Sequence, residues 1–126
     1  MKTIITTKNA PAPIGPYNQA ILIKDTLYIS GQTPIDPTSG ELVKGDVKAE
    51  AEQCMQNLKA ILEEAQMTFE HVVKTSIFLK DMHKFAQVNE VYGSHFDADT
   101  APARETVEVA NLPMFVNVEI SMIAVK

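Results

Sequence analysis

The segment Asp46–Gln66, DVKAEAEQCMQNLKAILEEAQ, decides the fold, because it is the longest stretch with one clear periodicity. Its apolar residues recur at steps of three and four, the spacing of one face of an α-helix. Asp46 stands just before the first of them and is a preferred N-cap residue. The segment therefore predicts a helix ending near Gln66, with one apolar stripe that should lie on a sheet. The stripe consists of Val47, Ala51, Cys54, Met55, Leu58, Ile61, Leu62 and Ala65.

Strand patterns flank this helix on both sides. Runs of apolar and β-branched residues predict strands at residues 2–7, 20–23, 26–30, 72–79, 104–109 and 116–125. Residues 82–96 have helical spacing and predict a second helix. This order of elements predicts an α+β fold in which both helices cover one face of the sheet. The other face then needs a cover, which self-association would provide.

The composition is that of one globular domain spanning residues 1–126. The net charge is −5, and the lysines are scattered singly, which disfavours a nucleic-acid binder and docking on an anionic membrane. One cysteine excludes an intramolecular disulfide. The N-terminal residues lack a hydrophobic signal core, and no apolar run is long enough to cross a bilayer. A cytoplasmic location is expected.

The last two predicted strands carry charges in alternation. Arg104, Thr106 and Glu108 share one side of their strand, and Glu119 lies on the side of the last strand opposite its apolar residues. We expect all four on the sheet face away from the helices. A solvated Arg–Glu ion pair is the commoner outcome of such a pattern. The alternative is a site in which Arg104 binds a carboxylate and Glu119 orients a water or moves a proton.

The other residues that could bind a metal or act as a nucleophile do not indicate a different reaction. His71, His83 and His95 lack metal-ligand spacing, so no metal site is predicted. Cys54 belongs to the apolar stripe and is interpreted as a core residue and not as a nucleophile. The sequence has no glycine-rich phosphate loop and no dinucleotide fingerprint. A reaction without a cofactor, or no reaction, is what remains.

Several motifs, in order and at similar spacing, resemble the RidA (YjgF) family of reactive-intermediate deaminases. The resemblance covers residues 10–125. The motifs are Ile14-Gly15-Pro16-Tyr17-Asn18-Gln19-Ala20, Ser30-Gly31-Gln32-Thr33-Pro34, Asn57-Leu58-Lys59-Ala60-Ile61-Leu62-Glu63, Val88-Asn89-Glu90-Val91-Tyr92, Pro102-Ala103-Arg104, Val107-Glu108-Val109-Ala110-Asn111-Leu112-Pro113 and Val118-Glu119-Ile120.

This resemblance implies a chorismate-mutase-like fold and a homotrimer with a central barrel and sites between subunits. The implied activity is hydrolysis of 2-imino acids or their enamine tautomers, such as 2-aminoacrylate, 2-iminopropanoate and 2-iminobutanoate, to 2-oxo acids and ammonia, without a cofactor. Arg104 matches the arginine that grips the substrate carboxylate, and Glu119 matches the acidic residue that positions water. The remaining positions implied to bind substrate or lie near the cleft are Tyr17, Ser30, Gly31, Asn89 and Thr106.

Two residues depart from the family pattern and leave alternatives open. Glu105 stands where a small hydroxyl residue is common. By alternation it should point away from Arg104, toward the helix side or a subunit boundary, but it could also pair with Arg104 and compete with substrate. Asn111 stands where a basic residue is common. A pocket that binds a small carboxylate without turning it over is therefore a second hypothesis. RNA cleavage or translation inhibition, attributed to some relatives, is a third, which the acidic balance disfavours.

Overall fold

A computed structural model describes all residues from Met1 to Lys126. The long helix α1 spans Val47–Glu64, and the Asp46 carboxylate caps it by accepting a hydrogen bond from the Ala49 backbone N–H at 2.8 Å. Every residue of the predicted apolar stripe is buried. The predicted helix, its cap and its buried face are confirmed. No helix of the chain has the length and apolar character needed to span a membrane.

Six strands form one sheet in the order β1-β2-β3-β6-β4-β5. Neighbouring strands are antiparallel except β4 and β5, which run parallel. Their bounds are β1 Thr3–Ile5, β2 Ala20–Ile23, β3 Thr26–Gln32, β4 Val72–Leu79, β5 Ala103–Glu108 and β6 Val118–Val125. The predicted strands are therefore all present, with ends that differ by a few residues.

Both helices cover the same face of this sheet. The core joins α1 to the alternate residues of β6 that were predicted to meet the helices, namely Val118, Ile120, Met122 and Ala124. The second helix, α2, spans Phe85–Gly93 and packs beside α1. It is shorter than predicted because Met82–Lys84 form a separate 3-10 turn capped by Asp81. The α+β architecture with two helices on one face is confirmed.

The pairing of β5 with β4 decides which way the side chains of β5 point. Thr75 lies opposite Arg104, and Ile77 lies opposite Thr106. Paired residues on neighbouring strands share a face. Because Thr75 and Ile77 are buried on the helix side, Arg104 and Thr106 lie on that side as well, followed by Glu108. The prediction that these three share the open face with Glu119 was wrong, since alternation cannot show which side of a strand meets the helices.

The open face of the sheet carries Glu119, as predicted, together with an exposed apolar surface. Apolar residues that are at least 39% exposed occur on most of its strands. Exposed apolar surface of this kind commonly marks an interaction surface. Among these residues are Ile4, Ile23, Tyr28, Val107 and Val125.

A buried amide on α1 fixes the loop that follows β3. The Asn57 side chain is fully buried, and its amide nitrogen donates to the carbonyl oxygens of Thr33 at 3.1 Å and Ile35 at 2.9 Å. Its oxygen accepts a hydrogen bond from the Gln53 side chain at 2.9 Å. The loop between β3 and α1 is therefore attached to the helix by specific polar contacts.

Replacing Asn57 with Ala should lower the free energy of unfolding by about 2 kcal/mol, because two carbonyl groups lose a partner inside the protein. Urea unfolding at one protein concentration measures the loss. Gln56→Ala, on the exposed side of the same helix, is the control and should change the free energy by less than about 0.5 kcal/mol. Equal effects of the two substitutions would contradict this role of Asn57.

Candidate active site

Three of the predicted site residues line one cavity at the β3–β6 boundary. Tyr17, Gly31 and Glu119 border a space of about 70 Å³. Polar residues, among them Gln32 and Thr33, form part of its wall, and apolar side chains complete it. These are Pro11, Ile14, Ile35, Pro113 and Met114.

Glu119 is the ionisable group of this cavity. It is half-buried and takes part in none of the four salt bridges of the chain. Burial disfavours the charged form and raises the pKa of the Glu119 carboxyl above its ordinary value. A carboxyl group whose pKa is raised in this way is suited to accept and return a proton during a reaction.

Gly31 makes room for Glu119. A β-carbon at position 31 would lie 2.6 Å from Oε2 and 2.7 Å from Cδ of Glu119, which is closer than real atoms approach. The register of β3 against β6 shifts between Ile29 and Gln32, and this irregularity brings Gly31 against the carboxyl group. Gly31 is therefore required by space and not by an unusual backbone angle.

A buried glutamine holds the proline-rich loop that carries Tyr17. The Gln19 side chain accepts from the Thr7 N–H at 2.7 Å and donates to the carbonyl oxygens of Thr7, Ala10 and Pro11. Ser30 ties β3 to the same loop, since its hydroxyl donates to the Asn18 carbonyl oxygen at 2.6 Å. Ser30 does not line the cavity, so within one chain it positions the loop.

Arg104 lies in a second cluster at the sheet edge, beneath α2. One guanidinium nitrogen donates to Asn89 Oδ1 at 2.8 Å. The guanidinium carbon is 5.0 Å from the ring centre of Tyr92 and 5.6 Å from that of Phe85. Tyr92 is itself fixed by a 3.0 Å hydrogen bond to Thr75. These contacts orient the only arginine of the chain, which forms no salt bridge and so keeps donors for a carboxylate.

Glu105 does not compete for this guanidinium. It lies on the open face, where it forms a 2.7 Å salt bridge with Lys74 and accepts a hydrogen bond from Ser76. The hydrogen bond from Lys74, followed by that from Ser76, lowers the pKa of the Glu105 carboxyl. Glu105 therefore points away from Arg104, as alternation predicts, but onto the open face; an orientation toward the helices was wrong, because Arg104 itself occupies that side.

Thr106 lies on the same side of β5 as Arg104. Its hydroxyl oxygen is buried and has no hydrogen-bond partner in the protein. Buried polar atoms are nearly always paired, so the unpaired hydroxyl is an exception at this position of β5. Asn89 and Thr106 therefore accompany Arg104, as the sequence predicts.

The predicted site residues thus form two separate groups within one chain. The cavity around Glu119 has no lining residue from β5 or α2, which carry Arg104 and Asn89. Arg104 is on the helix side of the sheet and Glu119 on the open side, with β4 between their strands. Neither group alone provides both a carboxylate-binding arginine and a carboxyl group facing a cavity.

The cysteine, the three histidines and Asn111, which the sequence also singled out, lie outside both groups of site residues. Cys54 is buried, and its thiol donates to the Val118 carbonyl oxygen at 3.8 Å. Burial raises the pKa of this thiol well above its ordinary value. The three histidines lie apart, and no three His, Cys, Asp or Glu side chains converge as metal ligands would. Asn111 accepts a hydrogen bond from Lys80 at 2.5 Å.

Replacing Gly31 with Ala should displace Glu119 from its position beside the cavity, because the new methyl group would overlap its carboxyl group. A crystal structure of the variant, with the Glu119 side-chain torsion angles compared, measures this. Gly93→Ala is the matched control, since a β-carbon there meets nothing within 4 Å. An unmoved Glu119 in the Gly31 variant would contradict the steric argument.

The chain matches a known protein family over almost its whole length. The family model described as endoribonuclease L-PSP matches residues 7–126. A RutC family protein from Pyrococcus horikoshii is 52% identical over 126 residues, which cover 100% of this chain and 99% of that protein. The 2-iminobutanoate/2-iminopropanoate deaminase of Mus musculus is 48% identical over 126 residues, 100% of this chain and 93% of that enzyme.

A solved structure shows the same fold. The Rid family protein YyfA from Yersinia pestis superposes with a TM-score of 0.97 at 44% identity, and the match covers 100% of each chain. Sequence motifs, family model and fold agree over nearly the whole length. The chain therefore belongs to the RidA (YjgF) family, whose family model carries the description endoribonuclease L-PSP.

Proposed function

We propose that this protein hydrolyses 2-imino acids, or their enamine tautomers, to 2-oxo acids and ammonia. The observation that carries the proposal is the Arg104 guanidinium, held by Asn89 and the Tyr92 ring yet without a carboxylate partner. A planar guanidinium fixed in this way binds a carboxylate through two parallel hydrogen bonds. The deaminase named among the relatives, 48% identical, supports the choice of substrate.

The reaction needs only positioning and proton transfer. The carbon of a protonated imine is already electrophilic, so a water molecule can add to it directly. Glu119 takes the proton that this water loses and returns it to the nitrogen. The carbon–nitrogen bond of the resulting protonated carbinolamine then breaks while its hydroxyl group gives a proton back to the Glu119 carboxylate, which releases ammonia and leaves the 2-oxo acid. Holding the substrate carboxylate and the water in place can supply several kcal/mol of the barrier reduction.

The complete site belongs to a homotrimer in this proposal. Two subunits contribute, one with Arg104, Asn89 and Thr106, and its neighbour with Glu119 and Tyr17. The exposed apolar residues on the open sheet face support such an assembly, because packing the sheets against one another would remove them from water. The separation of the two groups within one chain supports a shared site.

RNA cleavage, which the description of the family model names, has less support in this chain. The net charge is −5, and the only arginine lies between aromatic rings and an amide. Nucleic-acid binders ordinarily present a basic stripe that neutralises several phosphates. The acidic balance therefore favours a small carboxylate over RNA as the ligand.

Replacing Arg104 with Ala should lower kcat/KM for the imine of alanine by about 100-fold or more, because the carboxylate loses a charged, bidentate partner. Arg104→Lys keeps the positive charge but lacks the paired N–H donors of the guanidinium, and it should retain only about a tenth of the wild-type kcat/KM. The measurement is 2-oxo acid formation from an imine generated by an amino-acid oxidase, after subtraction of spontaneous hydrolysis. Wild-type activity in the Ala variant would exclude the proposed role of Arg104.

Glu63→Gln is the control for this experiment, since Glu63 is an exposed carboxylate on α1, remote from both groups of site residues. It should leave kcat/KM within about twofold, as expected for a surface group outside the site. Calorimetry separates catalysis from simple binding. Tight binding of a 2-oxo acid without faster imine decay would identify a binding protein instead of an enzyme.

A further inference from the structure

The turn between β5 and β6 has an unusual backbone. Met114 has φ 57° and ψ 18°, and the next residue, Phe115, has φ 55°. Residues with a β-carbon rarely adopt this left-handed conformation, and two in succession are rarer still. Such strain persists only where the surrounding structure imposes it, and it is frequent at functional sites.

Contacts at both ends hold this turn in place. Leu112 and Val116 are buried on either side of it. The Phe115 N–H donates to the Leu112 carbonyl oxygen at 2.9 Å. Beyond the turn, the buried Glu50 carboxylate accepts hydrogen bonds from the Asn117 backbone at 3.0 Å and side chain at 2.5 Å. The left-handed backbone is thus imposed by the core and by α1.

The two strained residues have different surroundings. Met114 lines the cavity that contains Glu119, opposite the proline-rich loop. Phe115 is 80% exposed and lies outside that cavity, in a groove beside Leu42 that Met114 also borders. Met114 is itself 40% exposed, so part of its apolar surface remains to be covered. The turn therefore presents one flexible thioether to the space beside the Glu119 carboxyl.

We propose that Met114 is a specificity-determining residue: the substrate side chain packs against its thioether chain, so that apolar substrates gain in kcat/KM with each methylene that Met114 covers. This inference rests on the proposed deaminase function. With the carboxylate on Arg104 of a neighbouring subunit, the imine carbon lies near Glu119 and the substrate side chain enters the cavity. A volume of about 70 Å³ has room for a few carbon atoms but not for a large ring.

The apolar wall gives this preference its physical basis. Met114, Ile35 and Pro113 belong to the apolar part of the lining, beside polar residues such as Gln32 and Thr33. A substrate methylene group that packs against the Met114 side chain leaves water for this apolar part. A carboxylate-bearing side chain would be repelled by Glu119. Each methylene that Met114 covers is removed from water, which corresponds to about fourfold in affinity.

A chain-length series tests this role of Met114. The substrates are the imines of alanine, 2-aminobutyrate and norvaline, generated by an amino-acid oxidase. In the wild type, kcat/KM should rise about fourfold for each added methylene. Met114→Gln keeps the length of the side chain and a β-carbon on the strained backbone but adds a polar amide. It should reduce the gain to less than about twofold per methylene.

Phe115→Gln is the matched control, because it makes the equivalent change at the neighbouring strained residue outside the cavity. It should keep the wild-type dependence on chain length. Met114→Leu, which stays apolar, should keep it as well. A Met114→Gln variant with the wild-type gain per methylene would overturn the inference.

A second measurement separates this inference from the proposed function. If the wild type accelerates the decay of no imine, the proposed function fails, and calorimetry with 2-oxopropanoate, 2-oxobutanoate and 2-oxopentanoate then tests Met114 alone. Affinity that rises with chain length in the wild type, but not in Met114→Gln, would support the role of Met114. Affinity that is independent of chain length in the wild type would overturn it.

Discussion

The parallel pairing of β5 with β4 is the constraint on which the arrangement of the site depends. It places Arg104 opposite the buried Thr75, and so beneath α2, where Asn89 and Tyr92 can hold the guanidinium. The same pairing turns Glu105 to the open face and into a salt bridge with Lys74. One register therefore separates the arginine from the neighbouring carboxylate that would otherwise neutralise it.

The fold was largely predictable from local patterns. The face of α1 that meets the sheet was predictable because its apolar residues form one stripe. The orientation of β6 was predictable because Glu119 and Ser121 interrupt the apolar residues on one of its two faces. The strand β5 has no such asymmetry, since it carries Arg104, Glu105, Thr106 and Glu108 on both sides. Its orientation depends on a partner thirty residues away in the chain, and the sequence pattern alone assigned it to the wrong face.

The site was predictable in its residues but not in its geometry. The family motifs contain Tyr17, Gly31, Asn89, Arg104 and Glu119, and the structure places these in two groups. The contacts that support the site could not be predicted from local sequence, because they join residues far apart in the chain. They are the hydrogen bonds made by the side chains of Gln19, Asn57 and Glu50. Likewise, the left-handed backbone at Met114 has no signature, because neither glycine nor asparagine occurs there.

The central proposal is that Arg104 and Glu119 act together across a subunit boundary, and subunit mixing tests it most directly. Arg104→Ala and Glu119→Gln proteins, each inactive alone, are unfolded together in equal amounts and refolded, and mixed oligomers are verified by native mass spectrometry. A shared site predicts that about a quarter of the sites regain both wild-type residues and that activity recovers to that extent. Mixed oligomers that stay inactive would show that both residues must come from one chain, contrary to this account.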